Sequence, residues 1–364
     1  MSRPSRAIIN LAALRHNYQL AKSRNPGGLA MAVIKANGYG HGLLTVANGL
    51  GEADAFAVAS MDEAIILREA GIAQKILLLA GVCAAAELSL VDRYRLDIVV
   101  HCAEQVSMLE SFRVQDPLNV WLKINTGMNR LGIAIADVVS LHARLMACQA
   151  VATPLVLMTH FANADDRRDK YLQTQRQAFK QVTASLPGIT SIANSAATLF
   201  IEDDLGDWIR PGIMLYGASP FINSIGSDDG LKPVMTLESA LIGIRQQVTG
   251  DPVGYGGAWV CPQDMLVGVV AIGYGDGYPW HAKAGTPVMV NGQVAKLVGR
   301  VSMDMITVDL TNVKKPTLGD KVILWGGSDK SGILPIEEVA SSAGTISYEL
   351  LCQVTARVKF ETSD

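Results

Sequence analysis

The stretch LAMAVIKANGYGHG, residues 29–42, joins an apolar run of strand character to a glycine-rich loop that opens with Lys35. Seven further β-branched or apolar runs follow at intervals along the next 180 or so residues, a spacing typical of repeated βα units. They are AFAVAS, KILLLAG, LDIVVHC, LNVWLKIN, PLVLMTHF, ITSIAN and DWIRPG. The sequence therefore predicts eight strands in this part of the chain.

Amphipathic segments lie between the predicted strands. Clear examples are MDEAIILREAG, IADVVSLHARLMACQA and YLQTQRQAFKQVTASL. The first has acidic residues in its opening turn and Gly71 where the helix should stop. Strands that alternate with helices form a parallel sheet, and eight such units fit a closed TIM barrel. An open, doubly wound sheet is also compatible with this pattern.

The pattern changes beyond about residue 231. Short strand-like runs follow one another with one clear helix candidate, PIEEVASSAG, and Asn291-Gly292 between TPVMV and QVAKLV is a strong signal for a two-residue hairpin turn. We predict an α/β chain with a (β/α)8 TIM barrel over residues 10–231, followed by a mostly-β C-terminal domain over residues 232–364. Residues 1–9 are a candidate additional strand of this second domain.

Composition restricts the function classes. The 364 residues, 49% of them hydrophobic, suit two domains, and a net charge of -3 without long charged runs gives no footprint for nucleic acid or an anionic membrane. The apolar stretch that starts at Ile76 is too short to span a bilayer, and residues 1–10 lack the apolar core of a secretory signal. We expect a cytoplasmic protein that acts on a small molecule.

The cysteines are scattered singly and show neither a CxxC pair nor metal-ligand spacing. We expect no metal centre, and we expect these side chains to be reduced and mostly buried. They are Cys83, Cys102, Cys148, Cys261 and Cys352.

Lys35 directly follows the first predicted strand, at the end of a barrel where active sites are built. A lysine in that position is usually a solvated loop residue. The run AVIKANGYGHG, however, resembles the cofactor-lysine motif of alanine racemases. The resemblance extends over almost the whole chain, because further motifs recur in the family's order: KINTGMNRLG, THFANAD, ANSAAT, WIRPGIMLYG, VGYG, GYGDGYP, GRVSMDM and SYELLC.

The resemblance implies an amino-acid racemase that uses pyridoxal phosphate and acts on alanine. In this family the lysine that matches Lys35 holds the cofactor as a Schiff base, since only an amine can exchange with the substrate amine. Racemisation removes a proton from one face and returns one on the other. The resemblance assigns these tasks to Lys35 and to Tyr255 of the partner subunit in a homodimer.

Three basic residues have implied roles beside the cofactor and the substrate. Arg210 would contact the pyridine nitrogen, where a guanidinium can only donate and so weakens the electron sink, which disfavours transamination. Arg130 would bind the substrate carboxylate, because its fork of donors matches two oxygens. Lys123 would be carbamylated, which would turn a cation that repels Arg130 into an anion that positions it.

The remaining site residues follow from the resemblance alone. His160 would pack over the pyridine ring, and Met303 would offer its backbone amide to the substrate carboxylate. Asp304 would shape the site from the partner subunit, and Tyr274 would line the entrance. The implied phosphate and cofactor contacts are Tyr39, Tyr348, Asn194, Ser195, Gly212 and Ile213.

Other functions share parts of this pattern. A non-enzymatic pyridoxal-phosphate carrier would also use a barrel and a strand-end lysine, but such proteins resemble the barrel only. A decarboxylase would need an acidic group and a catalytic cysteine, and we find no motif for either. Broad-specificity racemases are typically exported, and the chain shows no signal peptide. Whether the enzyme supplies D-alanine for peptidoglycan or degrades it stays open.

Overall fold

The computed structural model describes residues 3–364, so the first two residues of the predicted 1–9 strand lie outside the described residues. Strand β1 (Arg6–Asn10) and helix α1 (Leu11–Ser23) come first. Eight parallel strands then form one sheet, in the order β8-β7-β6-β5-β4-β3-β2-β9. Their bounds are β2 (Leu29–Val33), β3 (Ala55–Val58), β4 (Lys75–Leu78), β5 (Asp97–Val100), β6 (Val120–Lys123), β7 (Val156–Met158), β8 (Ile189–Ser191) and β9 (Trp208–Ile209).

The two edge strands of this sheet, β8 and β9, are joined by individual hydrogen bonds. The Arg210 amide donates to the Ala193 carbonyl at 2.9 Å, and the Ser191 hydroxyl donates to the Trp208 carbonyl at 2.8 Å. These bonds close the sheet into a barrel. The predicted TIM barrel is therefore confirmed, and the open sheet is excluded.

Helix α4 (Met61–Glu69) begins and ends where sequence signals place it. The Ser60 hydroxyl accepts a hydrogen bond from the Glu63 amide at the start of α4, and Gly71 follows its end with a φ of 84°. A serine cap and a left-handed glycine are ordinary helix boundaries. The helical segments of the barrel are the left-handed turn α2 (Lys35–Tyr39) and the helices α3 (Leu43–Gly49), α4 (Met61–Glu69), α5 (Leu88–Arg93), α6 (Ala103–Ser111), α7 (Val138–Ala147), α8 (Tyr171–Thr183) and α9 (Ser195–Phe200).

The rest of the chain is mostly β structure, as predicted. Two short helices lie near its end, α10 (Ile336–Ala343) and α11 (Ser347–Gln353), of which the sequence predicted only the first. The strands are β10 (Met235–Gln247), β11 (Pro252–Val253), β12 (Trp259–Val260), β13 (Met265–Val270), β14 (Pro287–Val290), β15 (Gln293–Val298), β16 (Ile306–Asp309), β17 (Lys321–Ser328), β18 (Gly332–Leu334) and β19 (Lys359–Ser363).

Nine strands form the second sheet, in the order β18-β17-β14-β15-β16-β13-β10-β1-β19. Strand β17 pairs with both β14 and β10, which closes six of the strands into a ring. Strand β1 pairs antiparallel with β10 and parallel with β19, so the first strand of the chain belongs to the sheet built by its last third. The exact boundary after residue 231 stays a prediction.

Two local predictions have different outcomes. Asn291 and Gly292 adopt φ angles of 46° and 74° between β14 and β15, which confirms the predicted hairpin.

The five cysteines form no disulfide, but the prediction that most are buried is wrong: Cys261 is buried, whereas Cys83 and Cys352 are exposed. Cys83 lies in a loop and Cys352 in the last turn of α11, and both positions face solvent. Among residues 3–364, no helix is both long enough and apolar enough to cross a bilayer.

Candidate active site

Lys35 begins a single left-handed turn at the carboxyl end of β2. Residues 36–40 all have positive φ angles, from 50° at Tyr39 to 80° at Gly40. Gly40 admits no side chain, because a Cβ there would lie 2.0 Å from the carbonyl oxygen of Leu351 in α11. Left-handed geometry is unfavourable for residues with a Cβ, so this turn depends on support from its surroundings.

Asn37 and Glu63 provide part of that support. The Asn37 side-chain oxygen accepts a hydrogen bond from the Leu43 amide at 2.8 Å. The Glu63 carboxylate accepts one from the Asn37 amide at 3.1 Å and another from the Ala59 amide at 3.0 Å. Neither residue had a predicted role in the site. Glu63 was visible in the sequence only as an acidic residue in the first turn of a helix.

The Lys35 amine lies in a partly buried, positively charged environment. Burial lowers its pKa first, and the charge of Arg130 lowers it further, while Glu63 and Cys352 act in the opposite direction. An amine with a depressed pKa has a larger neutral fraction near pH 7. A neutral amine can act as a nucleophile and as a base.

Lys123 ends β6, and His160 follows β7, the next strand of the sheet; the charge of Lys35 acts on both side chains. Only 7% of Lys123 is exposed. Burial together with the charges of Arg210, Arg130 and Lys35 lowers the Lys123 pKa to about 8. The same causes, with burial largest, hold the pKa of His160 well below its ordinary value, so its imidazole is neutral. These mutual effects show that the predicted basic residues share one site.

Arg210 follows β9 and is 4% exposed. Its guanidinium donates to the Ser191 hydroxyl and to the Thr159 carbonyl, both at 2.5 Å. The Thr159 hydroxyl in turn donates to the Ile124 carbonyl at 2.9 Å. Burial lowers the Arg210 pKa to about 10, which leaves it protonated near neutral pH. The barrel ends thus hold a fixed cation that can only donate hydrogen bonds.

Ser195, Gly212 and Tyr39 converge next to this basic cluster. The Ser195 hydroxyl accepts from the Gly212 amide at 2.8 Å and from the Met214 amide at 3.4 Å. A Cβ at position 212 would lie 2.7 Å from the Tyr39 hydroxyl, so glycine is what permits this approach. Hydroxyl and amide donors gathered around a side-chain-free position suit an anion.

The other predicted cofactor contacts border this group. The rings of Tyr39 and Tyr348 are 6.1 Å apart, and burial raises the Tyr348 pKa to about 12, which keeps its phenol a donor. Ile213 follows Gly212 and is buried. The Asn194 side chain caps α9 by accepting from the Ala197 amide at 3.0 Å, and its contact with the cofactor stays a prediction.

A second group of predicted residues lies in the β domain. Tyr274 donates its amide to the Ser302 carbonyl at 3.0 Å, next to Met303. Asp304 pairs with Arg357, which holds the pKa of this carboxyl below its usual range. Tyr274, Met303 and Asp304 therefore form one surface patch.

Tyr255 lies in a glycine-rich loop of the same domain, and its side chain is 70% exposed. Met303, at 53%, is also strongly exposed. Within residues 3–364, no hydrogen bond or ion pair links these side chains to the group around Lys35. In a single chain, the side chains of Tyr255 and Met303 therefore face solvent.

The barrel group has an excess of positive charge. Lys35, Lys123, Arg130 and Arg210 act on one another or on His160, and Glu63 is the carboxylate whose charge reaches the Lys35 amine. Such a set suits a ligand with several negative charges, bound next to a nucleophilic amine. Phosphate-bearing cofactors and small carboxylic acids have this chemistry.

The fold and this site define a two-domain enzyme built on a TIM barrel with a strand-end lysine. Its fold is similar to a biosynthetic alanine racemase from Pseudomonas aeruginosa, with a TM-score of 0.95, 44% identity and full coverage of both chains. It is also similar to the alanine racemase of Acinetobacter baumannii, with a TM-score of 0.92, 36% identity and 99% and 100% coverage. A curated alanine racemase of Nitrosococcus oceani is 52% identical over 353 residues, 97% of each chain.

The family profiles agree with these similarities. The profile for the alanine racemase N-terminal domain matches residues 9–220, and that for the C-terminal domain matches residues 234–362. The chain belongs to the alanine racemase family, and it is an isomerase of the amino-acid racemase class. A carrier that resembles only the barrel is excluded by the second match.

Proposed function

We propose that the chain interconverts L-alanine and D-alanine with pyridoxal phosphate bound at Lys35. The observation that carries this proposal is the Lys35 amine with its lowered pKa, set among Lys123, Arg130 and Arg210. When bound, the cofactor withdraws electrons from the substrate and so acidifies the hydrogen on its α-carbon. The residues present fit it, because they offer an amine for its aldehyde and donors for its phosphate.

Lys35 holds the cofactor through its amine and moves a proton at Nζ on one face of the substrate. Burial and Arg130 favour the neutral amine that this task requires. Tyr255 of the partner subunit moves a proton at its hydroxyl oxygen on the other face. Its strong exposure in a single chain supports this assignment, since a free phenol on the surface is available to a second copy. The proposed enzyme is a homodimer with shared active sites.

Arg210 would contact the pyridine nitrogen of the bound cofactor. Its bonds to Ser191 and Thr159 fix the guanidinium, which keeps its proton and can only donate a hydrogen bond, so the ring nitrogen would stay unprotonated. The cofactor would then be a weaker electron sink, which disfavours transamination. His160, neutral and half-buried, would pack over the ring.

Arg130 binds the substrate carboxylate, and Lys123 positions Arg130 after carbamylation. A pKa of about 8 gives Lys123 the neutral amine that attacks carbon dioxide, forming an N–C bond and releasing one proton. The product is an anion in place of a cation. It would turn the repulsion between Lys123 and Arg130 into attraction. The buried side chain at position 123 would then have a partner of opposite charge.

The hydroxyls of Tyr39, Tyr348 and Ser195 and the amides of Gly212 and Ile213 would hold the phosphate, with Asn194 as a further cofactor contact at the start of the adjacent helix. The short distances among Tyr39, Ser195 and Gly212 support this placement. From the partner subunit, Met303 offers its amide to the substrate carboxylate, Asp304 shapes the site, and Tyr274 lines the entrance. Their common exposed patch supports a joint contribution.

The proposed setting is the cytoplasm, where D-alanine would be supplied for peptidoglycan or degraded. The five unpaired cysteines support a reducing compartment. A broad-specificity racemase is the second candidate. Incubating the purified protein with a panel of L-amino acids, followed by chiral chromatography, tests both. Alanine should dominate; equal turnover of larger amino acids would favour the second candidate, and no turnover of alanine would overturn the proposal.

A further inference from the structure

His41 is a fully enclosed side chain directly behind the turn that follows Lys35. It is 1% exposed, and its Nδ1 lies 3.1 Å from the Gly38 carbonyl oxygen and 2.9 Å from the Tyr39 carbonyl oxygen. Both neighbours are acceptors, so Nδ1 must carry the hydrogen. The other nitrogen, Nε2, is buried and has no hydrogen-bond partner within residues 3–364.

The His41 ring is also packed against the aromatic group beneath the anion site. It lies 4.6 Å from the ring of Tyr216, which stacks on the ring of Tyr39 at 4.7 Å. The Tyr216 hydroxyl donates to the carbonyl of Val33, the last residue of β2, at 3.1 Å. A continuous set of contacts therefore links the end of β2, His41 and the Tyr39 ring.

The charge state of His41 excludes a role as an acid or base near neutral pH. Burial lowers its pKa to about 4, so the side chain is neutral. What it offers is a single hydrogen on Nδ1, directed at two carbonyls of a turn in which Ala36, Asn37 and Tyr39 all hold unfavourable positive φ angles. Strained residues persist only where their surroundings fix them.

We infer that His41 is a positioning residue, which ties down the left-handed turn between Lys35 and Tyr39 and so holds the amine and the phosphate-binding phenol in a fixed relation. This inference rests on the proposed function, because both groups are proposed cofactor contacts. It differs from a simple packing role. Packing would stabilise the protein equally with and without cofactor, whereas positioning raises the affinity for the cofactor itself.

Four variants separate the effect of the hydrogen bond on cofactor affinity from the effect of the shape of the side chain. His41→Phe keeps a ring against Tyr216 and removes the donor. His41→Asn keeps a donor in the position of Nδ1, and His41→Leu has nearly the shape of asparagine without that donor. His142→Phe is the control, because His142 is also buried and bonded to a carbonyl, that of Pro187, on the outside of the barrel.

The experiment measures the dissociation constant of pyridoxal phosphate for the apoprotein of each variant, together with the thermal midpoints of the apo and loaded forms. We expect affinity to fall about tenfold in His41→Phe and in His41→Leu, roughly the effect of one well-placed hydrogen bond, and by less in His41→Asn. His142→Phe should lower both midpoints and leave affinity unchanged.

The outcomes are distinguishable. Unchanged affinity in His41→Phe would overturn the inference. Equal losses of affinity in His41→Asn and His41→Leu would overturn it as well. This second comparison can still be made if the phenylalanine variant does not fold. If the unaltered chain itself does not bind pyridoxal phosphate, or if borohydride reduction does not attach it to Lys35, the proposed function fails instead.

Discussion

The guanidinium of Arg210 and the ammonium of Lys123 act on each other inside the barrel mouth, with no carboxylate among the groups that shift the lysine pKa. Burial and this repulsion bring the pKa of Lys123 from 10.5 to about 8. Between about pH 8 and pH 10.5, the folded chain therefore gives up a proton that the unfolded chain keeps. Two predictions about pH and carbon dioxide depend on this relationship.

Lys123 should make the stability of the apoprotein depend on pH. Below about pH 8 the folded state bears the full penalty of the buried charge, and the penalty disappears as pH rises towards the unfolded pKa. Compared with Lys123→Met, the unaltered apoprotein in buffer free of carbon dioxide should gain roughly 2 kcal/mol of unfolding free energy between pH 8 and pH 10. Urea titrations of both proteins measure the difference.

Carbon dioxide provides the control for this prediction. A carbamate removes the cation, so added bicarbonate should stabilise the unaltered protein at pH 8 and leave Lys123→Met unaffected. A pH difference curve that stays flat without bicarbonate would show that Lys123 is not a buried ammonium.

Much of the fold could be predicted because its signals are local. The eight barrel strands are short runs with their own composition, and the hairpin at Asn291-Gly292 needs only two residues that accept positive φ. Helix α11 was missed since its seven residues, SYELLCQ, are too few for a clear period. Residues 1–9 were named as a candidate strand of the second domain, but the partners of β1, which are β10 and β19, lie more than 200 positions away and no local pattern specifies them.

The residues of the candidate site also fall into those that the sequence identified and those that it missed. Lys35 and Arg210 were recognisable because they follow predicted strands within distinctive motifs. The supports of Lys35 were not, because Glu63 reaches Asn37 from another βα unit and His41 acts through carbonyl groups. Asn194 belongs to the motif ANSAAT, and its side chain caps the helix that this motif begins.

Mixed dimers should test the shared site directly. Lys35→Ala and Tyr255→Phe should each lower turnover by several orders of magnitude, because each removes one of two bases. In a dimer that combines the two variants, one site contains both substitutions and the other contains neither. Mixing should therefore restore up to about half of the turnover per heterodimer, measured after co-expression with two different affinity tags.

A surface tyrosine gives the matched control for this experiment. Tyr94→Phe removes a hydroxyl that contacts Glu69 on the outside of the barrel and should leave turnover unchanged. Absence of any recovery in purified heterodimers would place Lys35 and Tyr255 in the same chain's site, against the proposed arrangement.

Ser191 should matter for stability through Arg210. Its hydroxyl accepts from the guanidinium and donates to the Trp208 carbonyl, and both contacts are buried. Ser191→Ala should lower the unfolding free energy by about 2 kcal/mol, since a buried charged group loses a partner. Ser140→Ala, which removes an exposed contact with Asp137, should change it by less than about 0.5 kcal/mol in the same urea titrations. Equal effects would show that the Arg210 contact contributes little.

Gly212 and Tyr39 should be energetically coupled in cofactor binding. A methyl group at position 212 would lie 2.7 Å from the Tyr39 hydroxyl oxygen but 3.4 Å from the ring carbon that bears it. Gly212→Ala should thus displace the phenol and weaken pyridoxal-phosphate binding about tenfold or more, and Tyr39→Phe should weaken it by a similar factor through the lost hydroxyl. Because the phenylalanine leaves room for the methyl group, the double variant should lose much less affinity than the product of the two factors.

Fluorescence titration of the apoproteins gives the four dissociation constants of pyridoxal phosphate. Gly51→Ala, whose added methyl group would meet nothing closer than 3.8 Å, should bind as the unaltered chain does. Losses that multiply in the double variant would mean that the 2.7 Å contact does not govern this site.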